Sequence, residues 1–338
     1  MSRHGCVVAY GVMERMSANT DSGAEKEPFM DSIYEKARAA DATVVLAEAE
    51  DQRVKDAAAI IEEMGLAKLI LLDGNSFHSL SAEEQHELVE TVRTARPKDA
   101  LSPEAARDLL TNNTKYLAAA MVKAGKADGF VAGNASETAE TIRPALKIIG
   151  APRNYASSFF IMLHGDKPLF FADCGFNVDP NPEQLAKIAV DTAENVRALG
   201  IEPRVAFLSF STGASLEHEH ITKMRTAIEQ TRLLAPELKI SEHELQFDAA
   251  LDPEVAAKKA PNSLVAGTAN IFIFPDLNSG NIGYKIAHRI GGARAVGPIF
   301  QGFNAPVNDL SRGCSAQDIV DVVAVTAMQA GALKNRNR

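Results

Sequence analysis

The residues best equipped for chemistry stand close together near the C-terminus, in Asn308-Asp-Leu-Ser-Arg-Gly-Cys-Ser-Ala-Gln-Asp318. A hydroxyl (Ser311), a guanidinium (Arg312) and a carboxylate (Asp318) surround a glycine turn just ahead of an apolar helix. A guanidinium offers paired donors to an anion, and a carboxylate at hand can take a proton. Two plainer roles stay open. Ser315 stands three residues before Asp318, a variant of the capping box, and Arg312 could pair with Asp309.

Three further segments have the same character, each following an apolar run that reads as a strand. In Gly133-Asn-Ala-Ser-Glu-Thr-Ala-Glu-Thr-Ile-Arg143, hydroxyls such as that of Thr138 and the backbone amides of a helix start suit an anion, with Arg143 as a bidentate donor. An ordinary helix cap with a surface arginine is the alternative. Phe210-Ser-Thr-Gly-Ala-Ser215 places Ser211 and Thr212 beside a glycine, so amides could approach a phosphate closely; a polar turn explains it equally. Phe274-Pro-Asp-Leu-Asn-Ser-Gly-Asn-Ile-Gly-Tyr-Lys285 lacks the Gly-Lys-Ser/Thr ending of a Walker loop and the dinucleotide fingerprint. Arg289 follows Lys285 by one helical turn, as an anion-binding pair or a basic surface pair. Cys174 reads as a small core residue after a strand, with a nucleophile as the alternative. Together these loops, without a histidine cluster or metal spacing, point to an anionic, phosphate-bearing ligand.

The elements that must position these groups alternate between strand and helix. Strands are expected at Thr43–Leu46, Leu69–Leu72, Gly129–Ala132, Ala156–Leu163, Leu169–Ala172, Val205–Leu208, Ile271–Phe274 and Ala295–Ile299. The two strands flanking His164-Gly-Asp-Lys-Pro168 read as a hairpin, and the last three as buried, largely parallel strands. Helices are expected at Asp51–Met64, Ser81–Arg93, Ser102–Ala124 and after the Asn181-Pro-Glu-Gln184 cap. The pattern is α/β with layered helices, and in such sheets ligands bind beyond the carboxyl ends of strands.

With 338 residues, two domains are the better expectation. A net charge of −9 without a basic run argues against nucleic acid, so the arginines act locally. No apolar run is long enough to span a bilayer, and three widely spaced cysteines fit a reducing compartment with no metal site. Residues 1–29 read as a disordered extension with Met30 opening the folded chain; a short targeting or packaging peptide around Val7, Tyr10 and Met13 is the alternative.

From about Ala42 to Ala332 the chain resembles the phosphate acetyltransferase (phosphotransacetylase) family. The likeness is carried by Arg143-Pro-Ala-Leu-Lys-Ile-Ile-Gly150, Asp173-Cys-Gly-Phe-Asn-Val-Asp-Pro180, Leu245-Gln-Phe-Asp-Ala249, Asn281-Ile-Gly-Tyr-Lys285, Gly297-Pro-Ile-Phe-Gln-Gly302 and Asn308-Asp-Leu-Ser-Arg-Gly-Cys-Ser315. Its length and Ala132-Gly-Asn134 are reminiscent of the short ethanolamine-utilisation form. The resemblance implies reversible acetyl transfer, acetyl-CoA plus phosphate giving acetyl phosphate plus CoA, by direct attack in a ternary complex. It also implies two three-layer α/β/α domains with an inter-domain cleft, like isocitrate and isopropylmalate dehydrogenases. Domain I would comprise 30–155 with 300–338, and domain II 156–299. A cytoplasmic homodimer is implied, with no tightly bound cofactor and with CoA as substrate; association with a bacterial microcompartment is conceivable.

By position in the family pattern, Asp318 would be the general base for the CoA thiol, Ser311 a hydrogen-bonding partner at the reacting centre, and Arg312 the neutraliser of phosphate and oxyanion. Arg96, Arg143 and Arg289 match positions that hold CoA or phosphate, with Thr138, Ser211, Thr212, Asn281, Tyr284 and Lys285 as further binding residues. The chain departs from the pattern at Glu137 (usually Ser or Thr), Ala214 and His243 (usually glycine) and Ala47 (commonly proline). Competing readings are a phosphate propionyl- or butyryltransferase, an acetyl-CoA-sensing domain without catalysis, and a dehydrogenase of the same fold, the last disfavoured by the absence of a metal-binding aspartate set.

Overall fold

A computed structural model describes residues 28–152, 155–165, 167–213 and 217–336. The expectations for residues 1–27 and for Ala214 lie outside the described residues. Pro28 and Phe29, assigned above to the extension, instead open helix α1 (Pro28–Ala40), and Phe29 packs edge-on against Phe170.

Period-two alternation builds the centre. Strand β1 (Thr43–Leu46) sends Val44 and Leu46 into one core and Val45 into another. With β2 (Lys68–Leu71), β3 (Gly129–Ala132), β4 (Ser157–His164), β5 (Lys167–Ala172), β6 (Arg204–Phe207), β7 (Lys239–Ile240), β8 (Ile271–Ile273), β9 (Arg294–Gln301) and β10 (Val307–Asp309), it forms one ten-stranded sheet in the order β2-β1-β3-β10-β9-β4-β5-β8-β6-β7. The expected β4–β5 hairpin is antiparallel, with Phe160 opposite Phe171. β9, expected among the parallel strands, runs antiparallel to both β4 and β10. Burial on both faces is what produces an unbroken apolar run, whatever the strand direction.

Helices α1, α2 (Gln52–Met64), α7 (Pro182–Ala198), α8 (Glu219–Leu234) and α12 (Ala316–Arg336) supply one core that runs continuously along one face of the sheet. The other face is divided. Near β1 and β3 it is covered by α3 (Ala82–Ala95), α4 (Pro103–Asn112), α5 (Thr114–Lys123) and the turn after α6 (Thr138–Pro144). Near β4, β5, β6 and β8 a separate cluster includes residues from α9 (Phe247–Leu251), which packs beside α10 (Pro253–Lys259), and from α11 (Leu277–Arg289). The result is a three-layer α/β fold whose second face is open between two covered halves.

Local signals explain most helix ends. α3 and α7 begin with complete capping boxes, Ser81 with Glu84 and Asn181 with Gln184, and α2 ends on Gly65 at φ 63°. The single helix expected over Ser102–Ala124 is two. Asn113 leaves helical geometry (φ −146°, ψ 101°) and its Oδ1 accepts from the amides of Lys115 and Tyr116, so it stops α4 and caps α5.

Candidate active site

The loops after β3 and β10 and helix α11 after β8 converge on a cleft of about 820 Å³, on the divided face of the sheet. Ser311, Arg312 and Asp318 line it from the segment that joins β10 to α12. Opposite them lie Asn281, Tyr284, Lys285 and Arg289 of α11, and Thr138 stands at the start of α6.

α11 reaches this position because Gly280 lets it lie against the Asp173–Cys174 backbone; a Cβ there would collide with the Asp173 carbonyl oxygen. Asn281 fixes the contact by donating to the Cys174 carbonyl (3.1 Å), and Tyr284 stacks on Phe160 with ring centroids 4.1 Å apart. Lys285, Arg289 and Arg312 are exposed in the cleft, and none forms an ion pair with a described residue. Arg312 in particular does not pair with Asp309. That carboxylate accepts instead from the Thr138 hydroxyl at 2.6 Å.

Asp318 holds a double position. Its Oδ2 accepts from the amide and hydroxyl of Ser315 (2.8 and 2.9 Å), and Ser315 Oγ accepts from the Asp318 amide (3.2 Å). The capping box is therefore formed, and the same carboxylate lines the cleft.

Two of the loop amides between β3 and α6 are already in use. Glu48 accepts from the Gly133 amide (2.8 Å) and more weakly from that of Ala135 (3.4 Å), and it pairs with Lys115 at 3.0 Å. Burial works to raise the Glu48 carboxyl, but Lys115, Ser136 and the Gly133 amide outweigh it and hold the group below its ordinary value. An internal carboxylate thus occupies the loop amides that precede the start of α6.

Four expected binding residues lie off the cleft lining. Arg96 closes α3, pairs with Asp99 and lies over the Tyr116 ring, 5.7 Å from its centroid. Arg143 is exposed in the last turn of α6. Thr212 accepts from the Gln246 amide (3.0 Å), which ties the end of β6 to α9, and Ser211 is buried beside it. None of these four side chains lines the cleft that holds Arg312 and the α11 cations.

The family model for Phosphate acetyl/butaryl transferase matches residues 28–327. The chain belongs to this family. It is 46% identical over 325 residues to a phosphate acetyltransferase of Thermoanaerobacterium thermosaccharolyticum, covering 88% of this chain and 98% of that one. A solved phosphotransacetylase from Streptococcus pyogenes superposes with a TM-score of 0.82 at 40% identity, over 90% of this chain and 99% of that one. The EutD phosphotransacetylase from Staphylococcus aureus gives 0.81 at 39% identity, over 90% and 98%.

The cleft also contains groups outside the expected binding set. Asp309 is fully buried, and burial, reinforced by the charge of Glu48, pushes its carboxyl up to about 6 against the pull of the Thr138 hydrogen bond. His288 lines the cleft with Nδ1 2.9 Å from the Ala293 carbonyl; an oxygen there can only accept, so Nδ1 is the donor. Cys174 is wholly buried and burial pushes its thiol well above the ordinary range, while Cys314 is pushed up to about 11. Neither is an activated nucleophile. Among the described residues no group of ligands could hold a metal ion, and no helix is long and apolar enough to cross a membrane.

Proposed function

We propose that this cleft carries out reversible acetyl transfer between CoA and phosphate, by direct attack in a ternary complex. The observation that carries the reading is a set of cations, Lys285, Arg289 and Arg312, without an ion pair among the described residues and sharing one cleft with the partly engaged carboxylate of Asp318. Unpaired cations in a cleft favour a polyanionic ligand, and both CoA and acetyl phosphate are polyanions.

In the direction that consumes acetyl phosphate, Asp318 takes the proton of the CoA thiol, whose ordinary pKa is about 8.5. The sulfur then bonds to the carbonyl carbon. Arg312 meets the oxyanion as the tetrahedral centre forms, and the Ser311 hydroxyl donates at the same centre. Cleavage of the carbon–oxygen bond to phosphate releases phosphate, whose charge Arg312 and the α11 cations balance. The acetyl group passes to CoA without a stop on Cys174, in keeping with its burial and high thiol pKa. No bound cofactor enters this scheme.

Glu137 lines the same cleft, exposed and without an ion pair among the described residues, so it sets a negative charge against the incoming anion. The proposal includes the division into units of 30–155 with 300–338 and 156–299, supported by the two separate cores on one face. It includes a cytoplasmic homodimer, checked by light scattering of the purified chain.

Acetyl-phosphate formation from acetyl-CoA and phosphate, with thiol release measured alongside and propionyl- and butyryl-CoA compared, tests the reading. Acetyl-CoA is expected to be the best donor, and Arg312→Ala to lose on the order of 100-fold in kcat, the scale of one oxyanion donor. No turnover with any donor would overturn the enzyme reading in favour of a CoA-sensing domain.

A further inference from the structure

Arg53, in the first turn of α2, does not line the cleft, yet it spends every donor it has on the loops that build it. A guanidinium has five N–H groups in one plane. Nε and one Nη2 proton go to the two oxygens of Asp51, at 3.1 and 2.6 Å. The other Nη2 proton goes to the carbonyl of Asn134 at 2.8 Å. Both Nη1 protons go to the carbonyls of Arg312 and Cys314, each at 2.9 Å. The acceptors belong to the loops after β1, β3 and β10, which are adjacent parallel strands. Asn134 closes the figure by donating to Asp51 Oδ2 at 3.1 Å.

The catalytic segment has few other ties to the body of the protein. Ser311, Arg312 and Gly313 are exposed, and the Gly313 and Cys314 amides bond back to Ser311 within the same turn. Before the turn the Leu310 amide is held by Ala132, and after it Ser315 and Asp318 cap α12. Between those anchors, the two carbonyls bound by Arg53 fix the backbone that carries the Arg312 side chain. A lysine could not replace the clamp, because an ammonium on a flexible stem cannot address acceptors from three loops in one plane.

We propose that Arg53 is a positioning residue for acetyl transfer, acting through the placement of Arg312. The proposal rests on the functional reading above. A misplacement of about 1 Å at a catalytic group can cost on the order of 100-fold in rate, so Arg53→Ala is expected to lose roughly 10- to 100-fold in kcat with KM for CoA within a few-fold of the parent.

The decisive experiment is a double-mutant cycle in the full chain, with Arg53→Ala, Arg312→Ala and both together. If Arg53 acts through Arg312, the double variant is no slower than Arg312→Ala alone; losses that multiply would overturn the proposal and leave Arg53 a general structural residue. Added guanidinium is expected to restore part of the Arg53→Ala rate and none of the Arg53→Lys rate, where the ammonium occupies the site. Hydrogen exchange should quicken in the 311–315 peptide and stay unchanged in the middle of α12. Should Arg53→Ala fail to fold, Arg53→Lys carries the same cycle. Parent-like turnover in the Arg53 variants, with Arg312→Ala impaired, would sink this proposal alone, whereas an inactive parent would sink the functional reading beneath it.

Discussion

Ser315 holds Oδ2 of Asp318 through both its amide and its hydroxyl, and Oδ1 makes no hydrogen bond with a described residue. Asparagine at position 318 could still accept from Ser315 through its amide oxygen, so the helix cap would survive while the base would be lost. Asp318→Asn is therefore expected to cut kcat by at least about 100-fold, the lower end of the range for a positioned acid–base group, with thermal stability nearly unchanged. An unchanged rate in steady-state kinetics would reduce Asp318 to a cap. Asp309 makes a different case, because its environment raises its carboxyl from 3.8 to about 6. A raised carboxyl favours the folded state when neutral, an advantage present in full below about pH 4 and lost as pH rises through about 6. The shift corresponds to roughly 3 kcal/mol. Asp309→Asn keeps the shape and has no charge to bury, so its melting temperature relative to the parent should climb between pH 4 and 8. A difference that stays flat across that window would mean the carboxyl is not raised. Asp309 stood in the quoted C-terminal segment and was legible only as a partner for Arg312. Its true partner, Thr138, is 171 positions away in sequence, and no spacing rule connects them.

The loops after β3 and β10 touch at Gly133, which sits at φ 101°. A Cβ there would run into the Asp309 carboxylate and approach the Leu310 amide nitrogen to 2.9 Å. Gly133→Ala therefore has to adopt an unfavourable φ and also spread β3 from β10 at the mouth of the cleft. Backbone strain alone is worth about 1–2 kcal/mol, and the collision adds to it. Scanning calorimetry is expected to show a fall of at least several degrees, with kcat falling alongside it; a parent-like melting temperature would mean the loops have room to part. Elements whose identity depends on local chemistry were readable in advance: β1 and β3 lie where period and burial place them, and α7 begins at its capping box. Asn113 was not readable, because an asparagine that ends one helix by capping the next resembles any polar residue inside one. The direction of β9 was equally hidden, and so was the occupation of the β3-loop amides by Glu48, which comes from another strand's loop. Sequence brought Lys285, Arg289 and Arg312 to one site because each follows a strand end. Arg96 lies off that cleft and pairs with Asp99 three residues on, a contact that its place in the family pattern did not show.

At the scale of the whole molecule, the cleft exists because one face of the sheet is divided while the other is not. The undivided core gathers α1, α2 and α12 from one side and α7 and α8 from the other. α12 is buried without interruption from Ile319 to Ala330, so the helix whose first turn carries the cleft-lining Asp318 is also central to that core. Strand pairing crosses the same boundary, with β9 joined to β10 on one side and along β4 on the other. A buried polar network reinforces it: Gln329 of α12 donates to Asn195 of α7 at 3.0 Å, and Asn308 of β10 donates to Gln329 at 2.9 Å. Two domains linked only by a hinge and a modest interface would be expected to move and melt separately. Here, opening one half would expose apolar surface that the other half covers, and would strand buried polar groups without partners. Calorimetry at neutral pH should therefore give one unfolding transition whose calorimetric and van't Hoff enthalpies agree, despite the two clusters on the cleft face. Two resolved transitions, or a van't Hoff enthalpy near half the calorimetric one, would mean that the halves are coupled weakly enough to unfold apart. In that event the distance across the cleft, from the α11 cations to Arg312, would be set by domain motion as well as by the packing of α12.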